Sequence, residues 1–156
     1  PVELIFGTLR ALEISTSGRE EISHAKSMNQ LLYDPPHPQG WLEGESWLNS
    51  TTMLARSNFA NEVTRQPRNQ SKSVWWPRRA DLGALLQRAG ADGSAEDAVE
   101  WTLDLLVGGD VDAETHSVLV EHLGGPHHFD FDAVSADGRL SGMLYLALSM
   151  PLYQVA

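Results

Sequence analysis

The run Leu31–Ala60, LLYDPPHPQGWLEGESWLNSTTMLARSNFA, limits what this chain can fold into more than any other stretch. Proline fixes its own φ, donates no backbone hydrogen bond and pushes the residue before it out of helical geometry. Pro35, Pro36 and Pro38 therefore impose an extended path, and the preceding helix is expected to end near Leu32 or Tyr33. A segment this stiff has little entropy left to lose, so few contacts hold it in one shape. Gly40 and Gly44 supply turns. Trp41 and Trp47 flank the second turn, each with a large apolar ring and an indole N–H that seeks an acceptor.

The loop, Asp34 to Gly44, opens directly into a helix. Ser46 is the expected N-cap, with Glu45 beside the positive helix end. Trp47, Leu48, Thr51, Leu54, Ala55, Asn58 and Phe59 fall on one face and are expected to point inward. Asn49, Thr52 and Arg56 make a second, polar stripe, from which Arg56 can reach back to Asp34 or Glu45.

Helical periodicity and caps account for most of the rest. Val2–Leu12 and Arg19–Leu32 read as helices, the first with Ile5, Leu9 and Leu12 inward, the second with Ile22, Ala25, either Met28 or Asn29, and Leu32 inward. Leu82–Ala89 ends at Gly90. Ser94 opens a helix that Gly108 stops, and Asp112 opens another that Gly124 stops. Gly138–Ser149 is apolar nearly all round, which predicts a central helix ended by Pro151. Gln66–Ala80 holds two prolines and no helical period, and reads as an irregular connection. His127–Val134 reads as a loop or a very short strand. The expectation is an all-α fold: an irregular bundle of six or seven helices with one long ordered Pro/Gly/Trp loop, residues 1–156 forming one domain.

Charge narrows the function classes. A net charge of −10 argues against a general nucleic-acid binder, although Trp75 and Trp76 sit among basic residues. Residues 56–79 carry Arg56, Arg65, Arg68, Lys72, Arg78 and Arg79 against Glu62 alone, while residues 81–137 carry thirteen acids against Arg88 alone. The simplest reading is that the basic loop docks on the acidic half or that both are solvated. No apolar run approaches the roughly 20 residues of a membrane span. The absence of cysteine excludes disulfides and thiolate metal sites.

The candidate ligand-binding set is Asp34, His37, Trp41, Trp47, Asn49 and Arg56, because rigid loops of this make-up are where ligands bind. The competing reading of the same residues is a stapled loop and helix start. A looser set, His122, His127, His128, Asp130 and Asp132, offers imidazole and carboxylate for a divalent metal, but its spacing matches no known site class. Asp110, Asp112, Glu114 and Glu121 imitate a calcium loop. Thr115 stands where that loop needs glycine, and the same residues make a capped helix instead. No Gly-rich phosphate loop, Gly-x-Ser-x-Gly or His-Glu-x-x-His is present, so no catalytic residue is assigned and no cofactor is expected.

The central run, from Asp34-Pro35-Pro36 through Gly40-Trp41, Gly44, Trp47-Leu48-Asn49-Ser50 and Leu54-Ala55-Arg56 to Asn58-Phe59-Ala60, resembles the signature of the DUF 1800 family, bacterial proteins of unknown function. It departs at His37, where Asn is common, and at Leu42-Glu43, where Pro-Gly is common. Leu9-Arg10-Ala11-Leu12 and Leu146–Gln154 are similar to flanking family motifs. The resemblance implies a helical fold, a position toward the C-terminus of a longer protein, and export to the periplasm or beyond for many members. The resulting expectation is a helical accessory domain acting in binding or assembly, with the preceding portion of its own chain as a partner. The alternatives are part of a hydrolytic enzyme whose catalytic groups lie partly in that preceding portion, and a divalent-metal domain.

Overall fold

The computed structural model describes residues 1–41, 47–65, 79–109, 111–126 and 129–155. The helices are α1 (Val2–Ala11), α2 (Arg19–Ser27), α3 (Ser50–Thr64), α4 (Leu82–Ala89), α5 (Ala95–Val107), α6 (Ala113–Leu123), α7 (Ala136–Ser149) and α8 (Pro151–Val155). Among the described residues there is no strand, so the fold is all-α, an irregular helical bundle.

α7 is the axle. It packs against α3, α4, α5, α6 and α8, and buries Leu140, Met143, Leu144, Ala147 and Leu148. Those positions recur at three and four residues, so one broad stripe faces the neighbours while Leu146 lies on the exposed side. All eight helices contribute to one cluster of buried apolar side chains.

The expected boundaries of α4, α5 and α6 hold because each is fixed by local chemistry. Asp81, Ser94 and Asp112 accept hydrogen bonds from the backbone N–H groups of Ala84, Asp97 and Thr115 at 3.0, 3.0 and 2.8 Å. At the other end of α5, Gly108 takes φ 72°, a left-handed conformation that closes the helix and that a side chain disfavours. Arg79, at the end of the basic connection, pairs with Asp137 of the acidic half at 2.5 Å.

The end of α2 and the presence of α8 differ from expectation, as does the start of α3 described below. α2 stops at Ser27, not near Leu32. Asn29 takes φ 62°, its N–H bonds to the Lys26 carbonyl at 3.0 Å, and the Gln30 N–H bonds to the Ala25 carbonyl at 2.8 Å. That is a Schellman ending, with asparagine in the left-handed position. Ala25 is buried as expected and Met28, not Asn29, takes the inward position, but Ile22 and Leu32 are exposed. The second difference is α8, the eighth helix where six or seven were expected. Pro151 ends α7 and also opens α8, because a first-turn proline gives up no hydrogen bond that the helix would use.

Candidate functional site

The joint between the loop and α3 is built by Asn49. Its Oδ1 accepts from the N–H groups of Thr51 and Thr52, both at 3.1 Å, and its own N–H donates to Thr52 Oγ1 at 3.1 Å. This is a capping box, and it places the N-cap at Asn49 rather than at Ser46, which lies outside the described residues together with Glu45. The Thr52 hydroxyl also donates to the Trp47 carbonyl, so the loop end is fastened to the first turn.

The helix then turns a different face inward from the one expected. Thr52, Arg56, Phe59, Ala60, Val63 and Thr64 are buried. Leu54 is 63% exposed, and Leu48, Thr51 and Asn58 are also outside, so the predicted apolar stripe faces mostly outward and only Phe59 is in the core. The polar stripe holds the inward position because its members find partners.

Arg56 is the unusual member. It is 5% exposed, and its Nη1 donates to the backbone carbonyl of Gln154 at 3.0 Å and to Gln154 Oε1 at 3.3 Å. Gln154 in turn donates from Nε2 to the Leu148 carbonyl at 2.6 Å. The expected reach to Asp34 is not made: Asp34 is exposed, and among the described residues no carboxylate pairs with Arg56. The Arg56 Nε–H is buried without a partner, and so are the indole N–H groups of Trp41 and Trp47. Burial pushes the guanidinium pKa down from its usual value, with the neighbouring Tyr153 opposing. Beside Gln154, the Tyr153 hydroxyl pairs with that of Thr8 on α1.

The six candidate ligand residues therefore divide. Trp47, Asn49 and Arg56 share the approach and first two turns of α3; the indole N–H of Trp41 is also buried and unpaired. Asp34 and His37 lie on the exposed part of the loop, where the Gly40 N–H bonds to the His37 carbonyl at 2.9 Å. Tyr33, 97% exposed, sits there in the left-handed region at φ 66°.

The metal candidates do not converge among the described residues. The imidazole of His122 lies against Gly142 on α7, where an added Cβ would come within 2.6 Å of Nε2. Asp130 Oδ1 accepts from the Asp132 N–H at 3.0 Å, a local turn. His127 and His128 lie outside the described residues. No group of three or more histidine or acidic side chains among the described residues is placed to hold an ion. The calcium-loop reading fails on Asp112. Its carboxylate caps α6 and also accepts from Thr115 Oγ1 at 2.7 Å, and these bonds hold its pKa below the usual range.

Sequence reasoning missed two features. One is a cleft of about 340 Å³ between α1, α5 and α8, lined by Leu4, Gly7, Thr8, Ala11, Leu105, Leu106, Tyr153 and Glu3. Its wall needs α8, whose existence no apolar period announced. The other is an α2–α3 contact, His24 Nε2 to Glu62 Oε2 at 3.2 Å, with the imidazole set edge-on to Phe59. The hydrogen bond to Glu62 raises the His24 pKa, outweighing the opposing effect of burial.

Fold and joint together define a class: an all-α domain wrapped around one apolar helix, with a capped loop-to-helix joint that buries an arginine. The model of the DUF1800 family, described as a protein of unknown function, matches residues 1–155, and the chain belongs to that family. No curated protein and no solved structure matches it. Among the described residues no helix is long and apolar enough to cross a membrane.

Proposed function

We propose that the chain is an accessory binding domain of its DUF1800 protein, with the ligand site at the joint between the loop and α3. Arg56 is the observation that supports this reading. A guanidinium taken out of water without a counter-charge loses several kcal/mol of solvation, and apolar packing of the same volume would avoid that loss. Arg56 is buried beside a glutamine and carries a free Nε–H. A binding partner of opposite charge would offset the penalty.

The chemistry of the joint suits holding more than reacting. Guanidinium and indole groups do not exchange protons near neutral pH, so they donate hydrogen bonds without serving as acid or base. The titratable loop residues Asp34 and His37 are exposed and outside this set. A part in an enzyme would need its acid, base or nucleophile from elsewhere.

The test is thermal unfolding of the chain in acetate, phosphate and sulfate, each at the same ionic strength as a chloride reference. At low millimolar concentration, at least one oxyanion is expected to raise the Tm of the wild type more than that of Arg56→Gln, because a ligand that binds only the folded state stabilises it by mass action, whereas the general stabilising effect of sulfate and phosphate acts on both chains. Equal shifts in the two chains would remove the basis for the reading.

A further inference from the structure

We propose that the cleft between α1, α5 and α8 is a second binding site, distinct from the joint. It takes a small neutral molecule with an apolar body and one hydroxyl group, and that hydroxyl donates to the Tyr153 oxygen. Neither Arg56 nor Trp47 lines this cleft.

The apolar body follows from the walls. Leu4 and Ala11 on α1 and Leu105 and Leu106 on α5 line the cleft, and all four are only half-buried. Covering them removes apolar surface from water. The volume of about 340 Å³ is roughly twice that of a 150 Å³ cavity that holds benzene, and it falls at the lower end of the roughly 300–1,000 Å³ of small-molecule sites.

Gly7 keeps the space open. It stands in the middle of α1, where alanine would favour the helix, and a Cβ added there meets nothing within 4 Å. Because Gly7 lines the cleft, a longer side chain at this position would take the room that a ligand needs.

One hydrogen-bond chain sets the polarity inside. The Leu4 carbonyl can only accept, so the Thr8 hydroxyl donates its single proton there, and the Tyr153 hydroxyl in turn donates to Thr8. Thr8 and Tyr153 are 2% and 8% exposed, and both line the cleft. With its proton committed, the Tyr153 oxygen offers only lone pairs, so the ligand has to bring a donor.

Charge then separates a neutral donor from an ionised one. Glu3, exposed at the rim, repels a carboxylate, and the lone pairs within do the same. An ammonium held at Tyr153 would lose its hydration beside a neutral oxygen, and the Arg56 charge already acts on that phenol. A neutral hydroxyl avoids both penalties.

The experiment is an NMR titration of the chain, labelled with ¹³C in its leucine methyl groups, with para-ethylphenol. The methyl signals of Leu4, Leu105 and Leu106 are expected to move together along one saturating curve. Ethylbenzene keeps the body and lacks the donor, and should bind about 5-fold more weakly. The anion para-ethylbenzoate should leave the signals in place. Gly7→Leu should abolish the response to para-ethylphenol while unfolding at no lower a temperature than the wild type. Tyr153→Phe should reduce the affinity for para-ethylphenol to that for ethylbenzene. Should that variant fail to fold, the comparison of the two compounds on the wild type decides the same point.

Equal affinity for para-ethylphenol and ethylbenzene would overturn the hydroxyl class, and saturation by para-ethylbenzoate would overturn the choice of a neutral ligand. A para-ethylphenol response that survives Gly7→Leu would overturn the site, as would no saturation by para-ethylphenol in the wild type.

Discussion

The stretch from Leu31 to Arg56 divides into two regions that obey different physics. Residues 31–40 are almost all exposed: Tyr33, Asp34, His37 and three prolines face water. Residues 47–56 make the capped start of α3 and bury Thr52 and Arg56. The first region holds its shape by backbone restriction, since fixed proline φ angles and the His37–Gly40 turn need no packed side chain. The second holds its shape by the side-chain hydrogen bonds of Asn49, Thr52 and Arg56, which offset only part of the penalty of burial, since the Arg56 Nε–H and the Trp47 indole N–H stay unpaired. The contrast separates rigidity from burial: a segment can be stiff because its own backbone has few options, or because its neighbours leave it none.

Substitutions sharpen that contrast. The largest effect is expected at Arg56. Arg56→Ala leaves the Gln154 carbonyl and side-chain oxygen unpaired and opens a void, a loss of about 3 kcal/mol by urea unfolding. A loss of less than about 1 kcal/mol would mean that relief of the buried charge offsets the broken bonds. Next is Asn49→Ala, which removes the acceptor for two backbone N–H groups and should lose about 1 kcal/mol, with helicity falling at the start of α3.

The His24–Glu62 pair comes third, and its effect depends on pH. The folded state raises the His24 pKa, so its contribution is fully present below the unfolded value of about 6.5 and is lost as pH rises through the raised folded value. Stability measured across that window should fall by about 0.5–1 kcal/mol in the wild type and stay flat in Glu62→Gln. The smallest effects belong to the exposed loop. Tyr33→Ala, Asp34→Ala and His37→Ala should each change stability by less than about 0.5 kcal/mol in urea unfolding. A larger change at any of them would erase the distinction between the two regions.

Legibility in the sequence followed the same division between local and distant causes. The ends of α4, α5 and α6 were readable because Ser94, Asp112, Gly90, Gly108 and Gly124 act on their immediate neighbours. The Schellman ending of α2 had a signal, Asn29, that the apolar residues beyond it outweighed. The inward face of α3 was not readable. Periodicity ranks leucine above arginine for burial, whereas here Arg56 finds its partner 98 positions away, on a short helix that periodicity did not reveal. Of the candidate site, the residues of the Asn49 cap and the aromatic donors were in view; the partner of Arg56 was not.

That distant partner sets an order of events during folding. The Thr8–Tyr153 pair spans 145 positions and the Arg56–Gln154 pair spans 98. Closing such long loops is entropically unfavourable until the intervening chain is compact, so these contacts form late. On the ribosome α3 emerges before α8, so Arg56 waits for Gln154 until α8 has been made. A chain stalled or clipped before Pro151 would therefore carry α1 to α7 with its arginine still unclasped.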